Sequence, residues 1–289
     1  MSRRKLSVSI FFFNMLLSVL SYAQGVNPLA PEELLRRLED PDWQYRSEAF
    51  YDCLKLGGQG LDPPGALSKL LEKWPEKSDE IKLTLIRLLE IENEVTRDRV
   101  NFILEEYRKK GPDMPHPFPD AEERTEYYAN LIWAVTSLSD PRSLNALLGA
   151  IKTGNMVTST LAAFGTIALD PVIGKLQDKE ERLAATVVLV QMLEPKNVQK
   201  VSDPVSREKI KKVLMNATSD ESDSVRRMAI EGLAKLGDTD IIPLIENAAK
   251  NDPYDQSEFI RALGGKPDKE NHYPVRERAN ELLKKWKRN

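Results

Sequence analysis

Cysteine, histidine and glycine are all scarce in this chain, and each shortage removes a class of chemistry. Cys53 is the single cysteine among 289 residues, so no intrachain disulfide can form and stability must come from packing. Cys53 lies in an apolar helical register, which reads as a buried, inert thiol. There are only two histidines, His116 and His272, far apart and without metal-ligand spacing. Glycine-rich phosphate loops, nucleophile elbows and paired His-Glu motifs are absent as well. No alternating pattern marks a strand. Even the β-branched run Val187-Val188-Leu189-Val190 falls inside a helical period with Leu183 and Leu193, and reads as a buried helix.

The one long apolar run lies at the start. Arg3, Arg4 and Lys5 precede the run from Leu6 to Leu20, and Ser21-Tyr22-Ala23 places small residues where a signal peptidase reads. Residues 1–23 are therefore expected to be a cleaved signal peptide, with a folded region over 24–289 that is periplasmic or extracellular. The run is shorter than the ~20 apolar residues a spanning helix needs, so a retained anchor is the alternative. Removing three basic residues from 42 leaves 39 against 45 acidic ones, a net charge of −6. That balance disfavours nucleic acid as a partner, since phosphate binding relies on clustered Lys and Arg.

What the chain does have is helices, punctuated by 18 prolines against 14 glycines. Pro31 to Glu39 reads as a short capping helix. The window 225–237, Val-Arg-Arg-Met-Ala-Ile-Glu-Gly-Leu-Ala-Lys-Leu-Gly, is a template that recurs. It matches residues 45–57 at Arg46, Ala49, Lys55, Leu56 and Gly57, and the last helix at Val275, Arg276, Ala279, Glu281, Leu283 and Lys285. Arg182, Ala185 and Leu189 repeat the register, Ile81 to Ile91 puts Leu85 at the alanine position, and Met156 to Asp170 reads as another first helix. In a degenerate copy Glu126 replaces the arginine, followed by Ala129 and Trp133. The mean spacing is about 38 residues, in the range of two-helix solenoid repeats.

Six Asp-Pro dipeptides, at Asp40, Asp62, Asp140, Asp170, Asp203 and Asp252, read as helix starts, because Asp caps free amides and proline at the first position forfeits no useful donor. Second helices are then expected over Pro63 to Trp74, Thr96 to Lys110, Pro141 to Lys152, Pro171 to Gln177, Val205 to Ala217 and Ile241 to Lys250. An aspartate in a turn and an arginine in a first helix are positioned to pair across repeats, with Asp203 or Asp220 the candidates for Arg226. Two inserts break the pattern: the proline-rich loop Gly111 to Asp120 and the polar, flexible Gly264 to Tyr273.

Val225-Arg226, Ala229, Leu233 and Leu236-Gly237-Asp238, followed by Ile241-Ile242-Pro243-Leu244-Ile245, resemble a HEAT repeat, in particular the short HEAT-like repeats of phycobilisome lyases. Leu161 to Ala168 with Val172 to Leu176 is similar. The resemblance covers roughly residues 43–73, 122–193, 222–250 and 273–287. It implies an all-α fold, an α-α superhelix of the HEAT/armadillo solenoid kind with about six helical pairs. Such arrays bind partners along an extended surface, usually lined by second helices.

The chain is accordingly expected to be an exported protein-binding scaffold with a protein partner, no catalysis and no cofactor. A lyase-like chromophore-attachment factor and a membrane-tethered adaptor are the alternatives. Candidate contacts are Asn145, Lys152, Lys175, Glu246 and Lys250 on the second helices. Tyr127-Tyr128 with Trp133 and Arg142 form a second candidate surface. Glu126 is added because the template fails there. Tryptophans 43, 74, 133 and 286 otherwise read as core. The acidic group Asp220, Glu221 and Asp223 reads as a helix cap, and Asn216-Ala217-Thr218 as an incidental sequon.

Overall fold

The computed structural model of the chain describes residues 30–111 and 116–286, and among these every regular element is helical. The expected signal peptide lies outside the described residues. The chain divides into two compact units, one ending at Thr84 and one beginning at Leu85.

In the first unit α1 (Pro31–Leu38) carries Pro31 in its first turn and buries Leu34, Leu35 and Leu38. It packs on α2 (Trp43–Gly57), whose buried face is Arg46, Ala49, Phe50 and Cys53. Burial also pushes the Cys53 thiol pKa far up, the state of an inert thiol. α3 (Pro63–Lys73) starts as read, with the Asp62 carboxylate accepting from the Gly65 N–H at 2.9 Å. Gly57 is obligatory where α2 meets α3: a Cβ there would lie 1.8 Å from the Ala66 carbonyl oxygen.

The next helix departs from expectation. α4 (Ser78–Lys110) is one continuous helix of 33 residues, not a pair broken near residue 92. Its sequence holds neither Gly nor Pro, and the Glu92-Asn93-Glu94 stretch offers no competing turn. The described residues therefore hold five turn-linked pairs rather than about six. The unit boundary falls inside α4, between Thr84 and Leu85.

The second unit adds α5 (Ala121–Leu138), α6 (Leu144–Gly149), α7 (Asn155–Ala163), α8 (Thr166–Lys175), α9 (Arg182–Met192), α10 (Pro204–Ala217), α11 (Asp223–Leu236), α12 (Ile242–Asn251), α13 (Gln256–Ala262) and α14 (Pro274–Trp286). First helices form one layer, each packed on the next: α5 on α7, α7 on α9, α9 on α11, α11 on α14. Ala185, Ala229 and Ala279 are fully buried in this layer, the small residues that let neighbours approach. α6, α8 and α10 form the second layer. Each second helix lies closest to the first helix that follows it, as α10 does to α11 and α12 to α14. Gly232 marks a close approach, since a Cβ there would meet Leu214 of α10 at 2.7 Å and Val190 of α9 at 2.8 Å. The unit is thus stacked in the manner of an all-α solenoid.

Several local readings shift. In α5 the buried face is Tyr127, Leu131, Ile132, Ala134 and Val135, while Glu126, Ala129 and Trp133 are exposed. The template register sits two residues later than read, because the larger apolar set takes the interior. Trp133 is 37 % exposed, and tryptophans 43, 74 and 286 are half-buried, so none is a core residue. The expected helix Met156 to Asp170 breaks at Gly165, which adopts φ +63° and packs against Lys200. Pro171 is consequently interior to α8, not its start, and forfeits one helical bond to Ile167 on an exposed side.

The helix expected over Pro141 to Lys152 is a short α6 between two 3-10 turns, Pro141–Ser143 and Ile151–Thr153. Of the six Asp-Pro sites, Asp62, Asp140 and Asp203 cap as read. At Asp40-Pro41 the capping role passes to Asp42. Asp252 instead ends α12 and turns its carboxylate inward.

That carboxylate is the buried partner of Arg226: Nε and Nη2 donate to its two oxygens at 2.6 and 2.9 Å. Asp203 has no part in this, and Asp220 serves Arg226 only through its backbone carbonyl, at 2.8 Å. The Asp220 carboxylate accepts from Arg182 of the preceding first helix at 2.8 Å. Arg276 in turn donates to the Asp252 carbonyl at 2.6 Å. Each aspartate thus accepts one arginine on its side chain and the next on its backbone, giving a ladder from Arg182 to Arg276. The insert 264–273 is non-helical as read, yet pinned at its base, where Gln256 N–H donates to the His272 carbonyl at 2.8 Å.

Candidate functional site

A hollow of about 480 Å³ opens in the second unit beside the proline-rich insert. Its first wall is the C-terminal half of α4, with Thr96, Arg99, Val100 and Ile103. α5 supplies the second, through Ala121, Arg124, Thr125, Tyr128, Ala129 and Ile132. His116 and Phe118 of the insert cover one side, and the turn from Thr153 to Val157, leading into α7, closes another.

The wall positions follow from local chemistry. Helix α4 runs past the core because nothing breaks it, so its last turns stand beside α5. The insert returns onto α4 through Phe118, whose ring lies 5.6 Å from that of Phe102. The Arg99 guanidinium stacks on Phe118 at 4.1 Å and pairs with Asp120. His116 holds the same turn, its Nδ1 at 3.0 Å from the Phe118 carbonyl oxygen and its ring edge-on to Phe118.

Deeper in, Arg124 donates through Nε and Nη2 to Glu92 at 2.9 and 3.2 Å, a bidentate pair whose carboxylate is 0 % exposed. The Tyr128 hydroxyl donates to Asn93 Oδ1 at 2.6 Å, and Asn93 Nδ2 donates to the Ala146 carbonyl at 2.7 Å. Gly149 leaves room for that amide, since a Cβ there would lie 2.4 Å from Asn93 Nδ2. One relay therefore fixes α5, α4 and α6 together. Burial, with the Glu92 charge second, raises the Tyr128 pKa to about 12, so the phenol stays protonated as a donor.

Chemically the hollow is an apolar cleft whose charges are paired: Arg99 with Asp120, Arg124 with Glu92. It is suited to holding an apolar group, with specificity from a few polar positions. Among the described residues no group of His, Cys, Asp and Glu side chains is arranged to hold a metal ion.

The residues read from the sequence are dispersed. Tyr127 is 0 % exposed, packed in the core of α5, and cannot contact a partner; its neighbour Tyr128 lines the hollow instead. Glu126 is exposed on α5, and Arg142 is exposed with its guanidinium on Asp140 at 2.6 Å. Asn145, Lys152 and Lys250 are exposed. Glu246 is half-buried, and so is Lys175, which pairs with Glu181 at 2.9 Å. Arg99, Phe118 and Arg124 were not singled out from the sequence. The apolar spacing of Thr96, Val100, Ile103 and Tyr107, next to a proline-rich insert, is the signal that marks them.

Residues 169–264, from α8 through α13, match the family model of HEAT repeats. The match supports a HEAT-repeat family, whose members commonly mediate protein–protein interaction and are typically non-catalytic. No curated protein matches the chain.

Proposed function

We propose that the chain is an exported protein-binding scaffold, acting without catalysis. The observation that carries this is the row of packed first helices in the second unit, α5 to α14, over much of which the HEAT match runs. Repeats of this kind present surface along consecutive helices, and complementarity along that surface does the work. Export rests on the basic start and apolar run of residues 1–23. Among the described residues no helix is long and apolar enough to cross a membrane. The net charge of −6 after cleavage argues for a protein partner over nucleic acid.

One observation favours a second reading: a mostly apolar hollow is also what a bound chromophore would need, as the likeness to phycobilisome lyases implies. An absorption spectrum of the purified chain showing a bound pigment would support it.

The scaffold reading is tested by capture from the envelope fraction at low salt, with intact-mass measurement of the bait. A specific partner and a mass beginning at Gln24 are expected. Recovery of no partner alongside turnover of a substrate sinks the scaffold, and a mass retaining residues 1–23 replaces export with a tethered adaptor.

A further inference from the structure

Along the hollow and past it, the C-terminal half of α4 keeps its apolar side in water: Val100, Leu104 and Tyr107 are 48 %, 47 % and 50 % exposed. At helical spacing Thr96, Val100, Ile103, Leu104 and Tyr107 share one stripe roughly 100° wide. Thr96, Val100 and Ile103 belong to the hollow's wall. The stripe therefore runs on from the cavity to the end of the helix, over roughly 16 Å.

Its edges are cationic. By the same spacing Arg97 and Arg108 border one side and Arg99 and Lys110 the other. Arg99 is held by Asp120 and Lys110 by Glu106, whereas Arg97 and Arg108 are exposed and meet no ion-pair partner among the described residues. Across the hollow, the outer edge of α5 exposes Glu122 and Glu126. An apolar floor between one basic and one acidic border is a groove with polarity.

We propose that this groove docks an amphipathic helix of a partner protein, apolar at i, i+3 or i+4 and i+7, acidic along the edge facing α4 and basic along the edge facing α5. The proposal rests on the protein-binding reading above. A small ligand would fill the hollow and leave Leu104 and Tyr107 in water. A second α4 would bring basic borders against basic borders. The chain's own first 29 residues contain Arg3, Arg4 and Lys5 and no acidic residue, the wrong charge for the α4 edge.

The test is selection from a displayed library of helical peptides on the full chain from Gln24, followed by fluorescence anisotropy of the synthetic consensus peptide. The expected consensus is a helical apolar period with an acidic edge. L104E/Y107E should weaken its binding about tenfold or more. R97E/R108E should exchange the preference for peptides with that edge made basic. All four positions are exposed, so circular dichroism and melting should be unchanged; if either variant misfolds, the other decides.

A consensus without helical period, or affinity indifferent to both variants, overturns the proposal. Self-association of the wild type that L104E/Y107E abolishes overturns it too, by assigning the groove to a second copy. Envelope capture repeated with L104E/Y107E separates the two levels. A partner still retained by the variant sinks the groove and leaves the scaffold standing, whereas a partner lost with it supports both.

Discussion

Arg226 and Asp252 are both almost withdrawn from solvent and joined by two charge-assisted bonds. Removing one member leaves the other charged and buried. Asp252→Ala is therefore expected to cost about 3 to 5 kcal/mol in chemical denaturation, while Asp252→Leu combined with Arg226→Met should cost less than the sum of the single changes. Additivity would show that the two side chains do not act as a pair. Tyr128 gives a different kind of expectation. Its folded-state pKa is raised from near 10 to about 12, so its contribution to stability is complete below pH 10 and is lost as pH rises towards 12. Phenolate absorbance should show Tyr128 ionising late in the folded chain, and Tyr128→Phe should remove one tyrosine's share of the late absorbance change; an unchanged titration refutes it. The arginines of the ladder were legible in the sequence, since Arg182, Arg226 and Arg276 recur in register. The partner of Arg226 was not, because Asp252-Pro253 looks like a helix start and nothing local says its carboxylate turns inward.

Helices were legible wherever a period ended at a breaker. Asp62 and Asp203 start α3 and α10 as read, and Gly237, at φ +77°, ends α11. The reading failed where two signals competed. Pro171 follows an aspartate yet sits inside α8, because Gly165 supplies the break six residues earlier. The repeat period predicts a division within α4, and its sequence contains neither Gly nor Pro to make one. In α5 the alanine Ala129 suggests one register, whereas burial of Tyr127, Leu131 and Val135 sets it two residues later. The candidate site lies at these departures: Thr96 to Ile103 are helical as expected but belong to one continuous α4, and the α5 wall follows the register that sits two residues later. Where the alanine register holds it is stringent. Ala229 is fully buried between neighbouring first helices, so Ala229→Leu should overpack the layer and cost roughly 1 to 3 kcal/mol in a thermal melt; an unshifted melt would mean that the layer has room.

For the molecule as a whole, repetition explains how the chain stacks, and departure from repetition explains where it has something to offer. The hollow lies where a 33-residue helix and a proline-rich insert interrupt the pattern. The regular first helices α9, α11 and α14 bury their faces on one another. Export and binding are proposed for the whole chain, and the Gln24 mass and the envelope capture test them on it. The ladder carries one more consequence, for how such a chain can grow. Each aspartate hands its carboxylate to the arginine before it and its carbonyl to the arginine after it. A duplicated segment that brings its own arginine and its own aspartate can be spliced in at residues 219–222 and leave every charge answered. A segment that brings only one of them strands a charge in the interior. The pair is thus a rule of inheritance for the repeat: copies can enter or leave this array whole, and not in halves.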